Sequence, residues 1–156
     1  MQNAVVSLAE VLVYENEPLL KAYAKKSGLA LDEARELFID LKKWLWLMGQ
    51  HSSTTFRFPS YPEQAVIDLF WHEFILSTME YTEFCHRFFG RYIHHVPTPD
   101  GVNGASLDLA SRNMPEFVSR NVEVLDTAMR EVYQKLGRET VVRWYRELPA
   151  RYPQFR

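Results

Sequence analysis

The chain has 156 residues, with 18 Lys and Arg against 20 Asp and Glu for a formal charge of -2, 47% hydrophobic residues and one cysteine. So apolar and weakly charged a chain is not intrinsically disordered. Six glycines are too few for a fibrous protein, and one cysteine excludes an intrachain disulfide and a cysteine-rich zinc module. The longest run without Asp, Glu, Lys or Arg, Trp44 to Phe56, is shorter than the roughly 18 apolar residues that cross a bilayer, and Met1 to Glu10 lacks the basic start of a signal peptide. The expectation is one cytoplasmic helical domain over residues 1–156.

In chain order, Pro18 cannot lie inside a helix without losing a hydrogen bond, so the first helical stretch divides into Ala4 to Tyr14 and Pro18 to Ser27, with a break near Asn16. Gly28, Gly49, Gly90 and Gly137 stand where helices should stop, since a left-handed residue costs least without a side chain. Before Gly49, the residues Ala34, Leu37, Phe38, Leu41, Trp44, Leu45 and Met48 recur at three- and four-residue steps. Glu33, Arg35, Glu36, Asp40, Lys42 and Lys43 fill the other face.

Ser60 and Glu63 have the spacing of a capping box, which predicts a long helix from Ser60 to about Phe89. Alternation of period two is confined to a short run at Thr55 to Phe58. Val96 to Pro115, with Pro97, Pro99, Asp100-Gly101 and Asn103-Gly104, reads as a loop, and Val118, Val122, Leu125, Met129, Val132 and Leu136 as another amphipathic helix, with helices over 115–148. The fold class is therefore all-α: a compact orthogonal bundle of about five to six helices around the long central one.

Residues up to 111 carry an acidic excess and those after it a basic one. Arg138, Arg143 and Arg146 beside Trp144 and Tyr145 have the composition of a single-strand nucleic-acid surface. The interspersed Glu139 and Glu147 fit the mixed solvated face of a terminal helix better. The charge balance thus argues against a nucleic-acid partner and leaves a protein or a small molecule.

All five histidines lie between His51 and His95, and four of them, with Cys85, fall within His72 to His95. Asp68 and His72 are one helical turn apart, so the carboxylate can orient the ring, either for metal binding or proton transfer through its other nitrogen, or only to satisfy a core histidine. His72-Glu73 does not begin a zinc protease motif, because position 76 is Leu76. Glu83 and His86 have the spacing of one half of a carboxylate-bridged di-iron site, but no second copy exists. A straight helix from position 72 to 90 is about 27 Å long, and five extended residues return about 17 Å, so co-ligation of one metal by His72 and His95 requires a bend. Cys85 and His86 point about 100° apart on a helix, and with Tyr81, Phe84, Phe88 and Phe89 around it the thiol is expected to be desolvated and inert.

The run Ile67 to Leu76, followed by Tyr81, Phe84-Cys85, Phe88-Phe89-Gly90 and Ile93-His94-His95-Val96-Pro97, resembles the glycine-rich domain-containing-protein-like family in its bacterial stand-alone form, over roughly residues 15–97. The resemblance implies importance for Asp68, Trp71, His72, Tyr81, Cys85, Gly90 and His95 and names no reaction. The chain departs from it at Phe74, where plant-type members carry a second histidine, and at His86.

Two functions follow as expectations. The first is a small binding or interaction module without its own turnover, with a buried Asp, His and Cys constellation, since no complete catalytic triad, phosphate loop or full metal motif is present. The alternative is a protein or enzyme that holds a transition metal, iron or zinc, through His72 with Asp68 and with His95 or Glu83 as further ligands.

Overall fold

The computed structural model describes residues 6–51, 64–95 and 128–155, and every regular element among them is helical. Helix α1, Leu8–Leu12, opens with a reciprocal cap in which Ser7 Oγ accepts the Glu10 N–H at 3.3 Å and Glu10 accepts the Ser7 N–H at 2.8 Å. Helix α2, Glu17–Ser27, starts where Asn16 Oδ1 accepts the Leu19 N–H at 3.1 Å, has Pro18 in its first turn, and ends at Gly28 in the left-handed conformation. The break at Asn16 is the one that Pro18 requires.

Helix α3, Leu31–Gly49, buries the stripe from Ala34 through Leu45 and is the axis on which the rest packs. Its other face is less solvated than its charges suggest. Asp40 is only 1% exposed, and Lys42 is buried with its Nζ donating to the carbonyls of Leu12 and Tyr14, both at 2.8 Å. With Trp46 Nε1 donating to the Val6 carbonyl at 2.9 Å, Lys42 fastens α1 and the turn after it to α3. Gly49 is not a left-handed stop: it is the last residue of α3, and a Cβ there would collide with the Phe89 ring. It is glycine so that an aromatic ring can lie on the backbone.

The expected helix from Ser60 to Phe89 is two helices where it is described, α4, Ala65–Leu76, and α5, Thr78–Phe89. Ser77, with φ -80° and ψ 65°, leaves the helical path between them, and its carbonyl accepts the first hydrogen bond of α5, from Tyr81 N at 2.9 Å. Turning there folds α5 back so that Tyr81 and Phe84 meet Phe74 at ring separations of 5.1 and 5.2 Å, while Tyr14 meets Phe84 at 4.8 Å. A straight helix would carry Tyr81, Phe84 and Cys85 away from that cluster, and burial of two aromatic rings and a thiol outweighs one interrupted turn. Gly90, at φ 66°, then ends α5 and sends residues 91–95 back along α4. Ser60, the run Thr55 to Phe58 and the loop Val96 to Pro115 lie outside the described residues.

The C-terminal part continues as helix at 128–136 (α6), Arg138–Val142 (α7), a π-helical turn at Arg143–Glu147, Leu148–Arg151 (α8) and a 3-10 turn at Pro153–Phe155. Arg138, Glu139, Arg146 and Glu147 are exposed, as a mixed solvated face requires, but Arg143 and Trp144 turn inward. Trp144 is fully buried, and its Nε1 donates to Asp40 Oδ1 at 2.8 Å beside the forked Arg143 guanidinium, whose Nη2 reaches Oδ2 at 2.7 Å. Neighbouring side chains on an α-helix diverge by about 100°, and the wider π turn lets Arg143 and Trp144 converge on one carboxylate. No helix among the described residues is long and apolar enough to cross a membrane.

Candidate functional site

The site begins with two residues of one helical face. On α4, Asp68 and His72 lie one turn apart, and Asp68 Oδ2 stands 3.3 Å from His72 Nε2. The reversal at Gly90 then brings His95 over them, with its Nε2 at 2.8 Å from Asp68 Oδ1 and 3.0 Å from His72 Nε2. The His95 ring is edge-on to Trp71 at 4.4 Å and to His72 at 4.5 Å between centroids. The bend that co-ligation by His72 and His95 requires is thus supplied at Ser77.

A second layer fixes the returning segment. Trp71 Nε1 donates to the Tyr81 hydroxyl at 2.9 Å, and that hydroxyl donates to the carbonyl of Ile93 at 2.6 Å. Tyr81 is fully buried, and burial raises its pKa far beyond the ordinary phenol range, so it stays protonated and remains a donor. Cys85 lies beside this link; burial raises its pKa too, against the opposing effect of the Ile93 backbone N–H and the Tyr81 hydroxyl. A desolvated neutral thiol is a packing group here.

Asp68, Trp71, His72, Tyr81, Cys85 and His95 are therefore neighbours, but the cluster is not uniformly buried. The His72 side chain is 48% exposed, Asp68 24% and His95 15%, so these three form the outer layer and Tyr81 and Cys85 the inner one. Glu83 and His86 are exposed on α5 and do not join the Asp68, His72 and His95 group. His94 is exposed, with its ring 4.7 Å from that of Tyr92, and His51 pairs with Glu131. The sequence reading missed the Tyr81 to Ile93 link, because no local pattern identifies a hydroxyl that reaches a carbonyl 12 residues on.

The three ligand atoms cannot satisfy one another by hydrogen bonds alone. Each Nε2 presents either a proton or a lone pair, and the carboxylate presents only lone pairs. If one nitrogen carries the proton and the other accepts it, the acceptor's lone pair faces the carboxylate. If both carry protons, two donors face each other at 3.0 Å. While Asp68 is ionised, every assignment sets like against like in at least one of the three contacts. A cation among the three lone pairs removes the conflict, and metal bonds of 2.0–2.2 Å hold ligand atoms roughly 3–3.5 Å apart. The observed separations, 3.0 Å between the two nitrogens, 3.3 Å from His72 Nε2 to Oδ2 and 2.8 Å from His95 Nε2 to Oδ1, lie near that spacing with both carboxylate oxygens engaged, and one atom from each residue can be chosen with all three within 4.8 Å.

A family model, UCP032817-like, matches residues 8–105, which contain α1 to α5 and Asp68, His72 and His95. The chain belongs to the UCP032817-like family. That assignment replaces the resemblance to the glycine-rich domain-containing-protein-like family: the chain has six glycines, and Gly28, Gly49, Gly90 and Gly137 are scattered at helix ends and not gathered in a glycine-rich segment. No curated protein and no solved structure matches the chain. Membership of the UCP032817-like family names no reaction, so the chemistry must be argued from the side chains.

Proposed function

We propose that the chain binds one divalent transition-metal ion, zinc or iron(II), through Asp68, His72 Nε2 and His95 Nε2. The observation that supports this reading is the three-way contact that no arrangement of protons satisfies while Asp68 is ionised. Two imidazoles and one carboxylate are the donor set of catalytic zinc and of non-haem iron(II) sites, and three protein ligands leave at least one coordination position for water or a small oxygen ligand. The half-exposed His72 puts that position within reach of solvent. When bound, the ion would supply Lewis acidity; the chain's own part is to hold the three donors together and aim His95.

Calorimetric titration of the metal-free full-length chain with zinc tests this. One site is expected, kept in Glu83→Ala and His94→Ala and bound far more weakly, through the two donors that remain, in Asp68→Ala, His72→Ala and His95→Ala. Equal binding by His72→Ala and the unmodified chain would contradict the ligand set. The reading as an interaction module has one observation in its favour: Leu69, Leu76 and Met79 are exposed on α4 and the start of α5, close in sequence to His72. A folded chain that takes up no ion would put that reading first.

A further inference from the structure

We infer that Tyr81 is a positioning residue for His95 and so sets the affinity of the metal site, an inference that rests on the metal-binding reading above. Of the three ligands, Asp68 and His72 come pre-arranged by one helix, whereas His95 lies outside any helix, five residues beyond the Gly90 cap. Something must hold its backbone. Among the described residues the nearest backbone anchor is the Ile93 carbonyl, two residues away, which accepts the 2.6 Å hydrogen bond from the Tyr81 hydroxyl. The hydroxyl is itself held by the Trp71 N–H, and the Trp71 ring flanks the His95 ring. One tryptophan therefore touches the ligand directly and, through Tyr81, fixes the chain that carries it.

This arrangement makes the hydroxyl act through His95 and through neither of the other two ligands. Groups that orient a metal ligand typically change affinity by about 10- to 100-fold when removed, and Tyr81→Phe removes only the hydroxyl while keeping the buried ring. Trp71→Phe removes the N–H donor but leaves the Tyr81 hydroxyl able to reach Ile93, so its loss is expected to be smaller.

The test is a cobalt(II) titration of the full-length metal-free chain, followed by visible absorption, in the unmodified protein, Tyr81→Phe, His95→Ala and the double variant. Tyr81→Phe should weaken binding by about 10- to 100-fold and alter the ligand-field bands. Because Tyr81 acts through His95, the double variant should bind within about twofold of His95→Ala alone. A residue that merely supports the fold would weaken both backgrounds alike. Unchanged affinity in Tyr81→Phe, or losses that multiply in the double variant, would overturn the inference and leave the ligand set standing. Absence of cobalt binding in the unmodified chain would remove the metal reading, and this inference with it. If circular dichroism finds Tyr81→Phe unfolded, 4-fluorophenylalanine at position 81, which fills the place of the hydroxyl without a proton to donate, decides: a weakening that disappears in the His95→Ala background upholds the inference, and unmodified affinity overturns it.

Discussion

At the scale of single residues, the most heavily committed side chain is Asp40. Its carboxylate accepts three hydrogen bonds from Arg143 and one from the buried Trp144, and the same contacts hold the Arg143 guanidinium above its ordinary pKa. Removing one member of such a pair strands the other, so Asp40→Ala should cost about 3 kcal/mol in urea unfolding. Glu33 works more weakly, at the protein surface. The Ala30 N–H, and after it the Tyr152 hydroxyl, lower its pKa from the usual 4.5. A lowered carboxyl pKa gives stability that is full above the unfolded value and lost as pH falls through the folded one. The urea midpoint of Glu33→Gln should therefore lie below that of the unmodified chain at neutral pH, and the gap should close as the solution is acidified below pH 4.5. Neither role was legible in the sequence. Asp40 and Lys42 sit at polar positions of a regular amphipathic pattern, and nothing local distinguishes a solvated acid from one met by an arginine 103 residues later.

Among the elements, punctuation was legible where one residue type has one physical meaning. Pro18, Gly28 and Gly90 mark the start or end of a helix because of their backbone chemistry, and α2 and α5 observe them. Gly49 carries the same letter for a different reason, the Phe89 ring against it, and the elbow at Ser77 carries no letter at all. Leu76-Ser77-Thr78-Met79 is compatible with a continuous helix, and only the burial of Tyr81, Phe84 and Cys85 against Phe74 decides for the break. The short helix α1 depends likewise on a distant group. Lys42 gives its charge to the Leu12 and Tyr14 carbonyls at some electrostatic expense, since burial lowers its pKa. Lys42→Met keeps most of the stem and strands both carbonyls, so it should lower the local opening free energy of α1 by about 1–3 kcal/mol, read as amide exchange at residues 8–12.

For the whole molecule, the candidate residues Asp68, His72 and His95 could be named from the clustering of histidines and the turn between Asp68 and His72, but their convergence could not. It depends on the elbow, the Gly90 reversal and the Tyr81 link acting together, and the straight-helix estimate kept His72 and His95 apart. A metal that joins α4 to residues 91–95 binds only the folded chain, so zinc at 100 times its Kd should stabilise the fold by about 2.7 kcal/mol. The measured rise in Tm should vanish in His95→Ala. The most direct test of the central claim is the metal content of untagged full-length chain purified without chelators, measured by inductively coupled plasma mass spectrometry beside His72→Ala and His95→Ala. Near-stoichiometric zinc or iron in the unmodified chain, falling to background in both folded variants, is the predicted result. A folded, unmodified chain that carries no transition metal and acquires none on dialysis against zinc or iron(II) would contradict it.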